Sequence, residues 1–264
     1  MSRTALTRTA TALTALGLAA SASLATSAPA GAAHDGATIH PGVQTYTDGA
    51  QCTANFVFTD GTDTYLGQSA HCSGTGGSTE TDGCLAGSLP LGTPVAVDGA
   101  SRPGTLAYNS WLTMQAVGEK DADTCAYNDF ALVRLDPADG GRVSPTIPVV
   151  GGPTGVDTDG TRFGEPVYSY GNSSLRLGLS ALSPKEGVSL GTSGGGWTHA
   201  VYTATPGVPG DSGSAFVDGD GEALGVLSTL ALAPLAGSNG VTDLAKALAY
   251  ANERGGMGVS LVLG

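Results

Sequence analysis

The chain has 264 residues, with 11 lysines and arginines against 23 aspartates and glutamates and a formal net charge of -12. That excess of acid repels phosphate backbones and excludes nucleic acid as an expected partner. Only 13% of residues are charged and 42 are glycine, with little long helical periodicity, so the composition predicts many short strands joined by turns.

Residues 1–33 carry Arg3 and Arg8, then an alanine, leucine and threonine run, then small residues around Ala28-Pro29-Ala30. This reads as a secretory signal peptide. The apolar part is broken by threonines and falls short of the roughly 20 apolar residues a spanning helix needs, so no membrane association is expected after cleavage. Cleavage near Ala33 would remove two of the 11 basic residues and no acidic ones. The remaining residues, 34–264, are long enough for a real core as one all-β unit.

Four cysteines are present, Cys52, Cys72, Cys84 and Cys125, none in the close pairs of a zinc site. No metal and no cofactor are expected. In an exported chain disulfides are favoured, and three connectivities are possible. Thr53–Phe58 and Thr62–Leu66 read as two strands around a turn at Asp60-Gly61, a hairpin that delivers His71 at a strand end. A glycine-rich loop over 73–83 follows, then strands around Thr93–Val97 and Thr105–Leu112. Phe130–Leu135 is a nearly continuous apolar run suited to a buried strand, with Asp129 at its entrance. A carboxylate there needs a partner, and His71 is the natural one.

Residues 136–160 are rich in Pro and Gly and read as a connecting strap in which Ile147, Val149 and Val150 pack. Strands are then expected near Pro166–Tyr170, Leu175–Leu182, Val188–Leu190, Trp197–Ala204, Ser214–Asp218 and Ala223–Thr229. Thr242–Arg254 is the one clear helix, with Thr242 as its cap and Gly255-Gly256 as its end. The apolar tail from Met257 to Leu263 is expected either to add a strand or to serve as a processing signal.

Between two of these strands lies Gly210-Asp211-Ser212-Gly213-Ser214. The glycines free the backbone for a sharp turn that aims N–H groups beside one hydroxyl. A serine is a poor nucleophile near neutral pH and needs an imidazole to take its proton, and the imidazole needs a carboxylate to hold its tautomer. His71 in Gln68-Ser69-Ala70-His71-Cys72 and Asp129 in Asn128-Asp129-Phe130-Ala131-Leu132 supply both types. His34, His40 and His199 have no such context.

The order His, Asp, Ser within these three motifs resembles the chymotrypsin-like (trypsin-like) serine proteases, especially secreted bacterial ones. The resemblance covers most of the chain after about residue 39. It implies an all-β fold of two antiparallel Greek-key barrels, at about 39–135 and 161–241, joined by the strap and followed by a C-terminal helix and tail at 242–264. It implies a secreted, monomeric serine endopeptidase acting on proteins or peptides: His71 as general base, Asp129 orienting it, Ser212 attacking, and the N–H groups of Gly210 and Ser212 forming the oxyanion hole. It pairs Cys52 with Cys72, which leaves Cys84 for Cys125. It also aligns Ser228, Thr229 and Leu230 with one wall of the substrate pocket and Gly240 with the opposite wall. Pro206 then stands where trypsin-like members carry an aspartate. These matches imply a narrowed pocket for small apolar residues.

In trypsin-like zymogens the aspartate before the serine pairs with an amine freed by cleavage after a basic residue. Here no Lys or Arg lies between Arg8 and Arg102. Asp211 is therefore expected to pair with Arg162 or Arg176, or with the amine left by signal cleavage. Two other readings compete: a protease-like binding module without activity, and a serine esterase of the α/β-hydrolase kind. In the latter the nucleophile normally precedes the acid and the histidine, whereas Ser212 comes last.

Overall fold

The computed structural model describes Met1 and residues 37–77, 81–230 and 235–264. The signal peptide expected over 1–33 lies, apart from Met1, outside the described residues. Among the described residues no helix is long and apolar enough to cross a membrane.

The first half forms one antiparallel sheet from β1 (Gln44–Thr47), β2 (Ala50–Thr53), β3 (Val57–Thr59), β4 (Thr64–Gln68), β5 (Pro94–Val97), β6 (Gly104–Asn109) and β7 (Ala131–Arg134). The order across it is β3-β4-β7-β6-β5-β1-β2. Its two ends are the halves of one bent strand. At the bend Ala54 N–H donates to the Val43 carbonyl beside β1 (2.9 Å), while Asn55 N–H donates to Gly67 of β4 (2.8 Å). The sheet therefore curls back on itself through residues 54–56. The single strand expected over Thr53–Phe58 is this bend together with its flanks. Gly67 is required there, because a Cβ at that position would lie 1.9 Å from the Asn55 side-chain oxygen.

The hairpin of β3 and β4 forms as expected, with Val57 opposite Leu66 and Thr59 opposite Thr64. Ile39, Leu66, Leu106 and Val133 fill the inside of this sheet. A second set, including Phe58, Tyr108 and Phe130, packs outside it and runs on to the second half of the chain.

The second half is a closed six-stranded barrel, β8 (Pro166–Tyr170), β9 (Pro184–Ser193), β10 (Thr198–Thr203), β11 (Ala215–Val217), β12 (Ala223–Leu230) and β13 (Asn239–Asp243). Val167, Val201, Phe216, Leu224 and Val241 meet in its interior. Along β12 the first five residues are buried and the last three, Ser228–Leu230, emerge toward solvent. That emergence forms a wall between the two barrels.

Five local expectations are corrected. The strand expected to reach Leu112 stops at Asn109, whose side chain accepts from Trp111 N–H (2.9 Å) and so caps the helix α1 (Ser110–Val117). Gly118, at φ +69°, ends α1, and Asp121 caps a short helix α2 (Ala122–Tyr127), so Thr242–Arg254 is not the one helix. That C-terminal helix, α3 (Leu244–Glu253), is capped by Asp243 rather than Thr242, whose hydroxyl donates to the Tyr127 carbonyl instead (2.7 Å). Residues 175–182 form no strand. They make two tight turns, Ser174–Arg176 and Ser180–Leu182, with Leu175, Leu177, Leu179 and Leu182 exposed. In the strap Ile147 is buried, but Val149 stands exposed. The tail adds a strand, β14 (Ser260–Leu261), which pairs with β3 at the edge of the first sheet.

Candidate active site

His71 lies on a tight turn, Ala70–Ser73, directly after β4. Asn109 Nδ2 donates to the Ala70 carbonyl (3.0 Å), and Ser69 Oγ donates across to the Leu227 carbonyl of the second barrel (2.8 Å). Both barrels thus fix the turn. A disulfide between Cys52 and Cys72 ties it to β2, and a second links Cys84 to Cys125 near the N-terminal side of Asp129.

Asp129 sits between α2 and β7, almost fully buried. Its carboxylate accepts from His71 twice, Oδ2 from the ring Nδ1 (2.6 Å) and Oδ1 from the backbone N–H (2.9 Å). Ser228 Oγ donates to the same Oδ2 at 2.5 Å. An ionised carboxylate has no proton to give, so Nδ1 carries one and Nε2 is left as the basic nitrogen. Burial pushes the His71 pKa down most strongly, yet the charge and hydrogen bond of Asp129 outweigh it and leave the imidazole above its ordinary value. Burial likewise raises the Asp129 carboxyl. The positive charge and hydrogen bonds of His71, with the Ser228 hydroxyl, hold it below the usual carboxylate range all the same.

Ser212 stands at the tip of the turn between β10 and β11, with its carbonyl accepting from Thr53 N–H (2.8 Å). Gly210 and Gly213 have φ of +94° and +90°, the left-handed region. A Cβ on Gly213 would also strike the Thr53 carbonyl at 2.5 Å. Within the turn Asp211 N–H donates to Val208 and Gly213 N–H to Leu227 (2.8 and 2.7 Å). Among the described residues the N–H groups of Gly210 and Ser212 donate to no protein acceptor.

His71, Asp129 and Ser212 all line one cleft of about 580 Å³ between the two barrels. No hydrogen bond joins the His71 and Ser212 side chains, a contact that in sites of this kind often tightens only with substrate. Thr229 and Leu230 line the same cleft, Leu230 at the rim with about half of its surface exposed (52%). Gly240 lines an adjoining pocket of about 300 Å³ that shares Thr229 and Asn239 with the cleft. Pro206 does not line the cleft. Its ring is exposed on the outside, and its carbonyl is turned toward Arg176 and Lys185. The described wall there is instead Gly207, Val208 and Pro209.

Sequence reading missed Asn239. It is buried at the floor, accepts from Gly207 N–H (2.8 Å) and donates to the Thr229 carbonyl (3.2 Å), clamping the two walls. No local signal marks it, since it works only across the barrel. Among the described residues His71 and Asp129 are the only ionisable groups lining the cleft.

Beneath the turn, Asp211 is fully buried and holds two cations. Arg176 reaches it from the 174–176 turn, and Lys185 Nζ, itself with no exposed side-chain surface, lies 2.9 Å from Oδ2. Backbone N–H groups of Ser173 (3.0 Å) and Val208 (3.1 Å) complete its shell. Arg162 is exposed and faces Glu165 instead. Burial pushes the Asp211 carboxyl up, but Arg176, Lys185 and the Val208 N–H together hold it below its ordinary value. A depressed carboxylate contributes stability that is present at neutral pH and is lost as pH falls through its folded value. Asp211→Asn strands two buried cations, and we expect a loss of about 3–5 kcal/mol in urea unfolding. A loss below about 1 kcal/mol would show the cluster to be well solvated.

No protein-family model matches the chain, and no curated protein matches it. Solved structures do. Protease A of Thermobifida fusca superposes with a TM-score of 0.56 at 20% identity, covering 86% of this chain and 100% of that one. A glutamic acid specific serine protease, described as using a histidine triad in substrate binding, gives 0.52 at 18%, covering 85% and 100%. The chymotrypsin of Cellulomonas bogoriensis gives 0.50 at 18%, covering 85% and 98%. These structural neighbours are bacterial serine proteases, and at such identities the likeness is one of architecture: the chain has the chymotrypsin-like fold.

Proposed function

We propose that the protein is a secreted serine endopeptidase working through an acyl-enzyme. The observation that carries this reading is the oriented imidazole: His71 is held through Nδ1 by Asp129 at 2.6 Å and faces the same cleft as Ser212. The two disulfides fit an extracellular protein, and the fold is that of serine proteases.

In this reading Ser212 Oγ attacks the scissile carbonyl while Nε2 of His71 takes its proton. Asp129 stays ionised and stabilises the imidazolium. The negative oxygen of the tetrahedral intermediate is held by the N–H groups of Gly210 and Ser212, which donate to no acceptor among the described residues. His71 then protonates the departing amine, and water repeats the sequence on the acyl-enzyme. Ser212→Ala is expected to cost on the order of a millionfold in turnover, by analogy with other serine proteases, and to abolish labelling by a fluorophosphonate probe. Folded wild-type protein that takes no label would instead indicate a protease-like binding module.

The general base must be neutral to act. Because Asp129 holds the His71 pKa above its ordinary 6.5, kcat/KM should climb with pH through a midpoint above that value. A midpoint at or below it would mean that the ion pair does not govern the base.

Apart from Asp129, whose carboxylate His71 and Ser228 already occupy, no described acidic group lines the cleft to pair with a basic side chain, and Leu230 stands at its rim. Cleavage after small apolar residues such as alanine or valine is expected, with discrimination of only about 1–3 kcal/mol per methylene. Profiling a peptide library decides this, and a preference for Arg, Lys, Phe or Tyr would overturn the pocket reading while leaving the nucleophile intact.

A further inference from the structure

The N–H of Gly210 belongs to the peptide that joins it to Pro209. In a trans peptide the carbonyl and the N–H point in opposite directions across one rigid plane. Whatever holds the Pro209 carbonyl therefore sets where the Gly210 N–H points. That carbonyl accepts from Ser173 Oγ at 2.5 Å.

Ser173 is itself fixed. It is 2% exposed, its N–H donates to Asp211 Oδ1 (3.0 Å), and its hydroxyl oxygen accepts from Leu175 N–H (3.1 Å). The hydroxyl thus has one proton to give, and the Pro209 carbonyl receives it. The next peptide is held from the other barrel, with the Gly210 carbonyl accepting from Gln51 Nε2 (2.9 Å) and Thr53 Oγ1 (2.8 Å). Around Gly210 there is no slack, since a Cβ there would lie 2.9 Å from Ser173 Oγ.

We propose that Ser173 is a positioning residue for the oxyanion hole: by holding the Pro209 carbonyl it fixes the Pro209–Gly210 peptide plane so that the Gly210 N–H faces the cleft. This rests on the reading of Ser212 as nucleophile. Without the hydroxyl the carbonyl loses its side-chain donor, and the plane is free to rotate its N–H away from the cleft. The hole would then be complete for only part of the time. Substrate binding in the ground state does not need that N–H, so the loss belongs to the chemical step.

The test uses purified mature protein and p-nitrophenyl acetate, an activated ester that needs no pocket recognition. For Ser173→Ala we expect kcat to fall by about 10- to 100-fold, less than the roughly 10²–10³ for removing an oxyanion donor outright, with KM within about threefold. A peptide aldehyde ending in alaninal, whose tetrahedral adduct places its oxygen in the hole, should lose affinity by a similar factor. Ser173→Thr, which keeps the hydroxyl, should restore most of the rate. If the alanine variant does not fold, Ser173→Cys, of similar volume with a weaker donor, is read the same way. An active wild type with kcat unchanged within about twofold in the alanine or cysteine variant overturns the proposal alone. A folded wild type inert to both ester and fluorophosphonate overturns the nucleophile reading and the proposal with it.

Discussion

The buried carboxylate of Asp211 is the point on which the cleft between the barrels rests. Removing an ionised group from water is costly, and the cost is met here by two cations and two backbone N–H groups arriving from three separate segments. Because the carboxylate immediately precedes Ser212, satisfying it also sets the turn that carries that serine. Arg176 and Lys185 bind the Pro206 carbonyl as well, so the same cations join that turn to the segment that follows β10. A buried charge with so many partners tolerates few alternative arrangements. That is the property a preorganised site needs.

The two barrels meet across a polar seam as well as an apolar one. Thr53 N–H bonds the Ser212 carbonyl, Ser69 bonds Leu227, and Ser228 bonds Asp129, each linking one barrel to the other at the cleft. Behind them the cluster containing Phe58, Phe130, Val226 and Leu244 excludes water. The seam therefore couples the positions of His71 and Asp129 to that of Ser212. The Cys52–Cys72 bridge limits the same movement covalently on the His71 side.

Features with local physical causes were legible. The Asp60-Gly61 turn, the alternating strand at 166–170 and the buried run after Asp129 follow from side-chain period and glycine geometry. Local signals also misled. Asn109 caps a helix inside a segment that reads as extended, because β-forming residues sit beside the cap. The leucines of 175–182 look like a strand but are exposed, since the segment is held at its base by Arg176 and not by a neighbouring strand.

By itself the sequence determined the identities that chemistry requires: one histidine, one aspartate and one serine in distinctive surroundings, four cysteines, and glycines at the turn that bears the serine. Those are short-range properties, and a reader can weigh them residue by residue. Only the tertiary structure decided which groups surround them. Lys185 approaches Asp211, Asn239 clamps the cleft floor, Ser173 holds the Pro209 carbonyl and the tail pairs with β3 because folding brings distant segments within hydrogen-bond reach. Such contacts join residues from about 26 to about 200 positions apart, and no local pattern of size, charge or period encodes them.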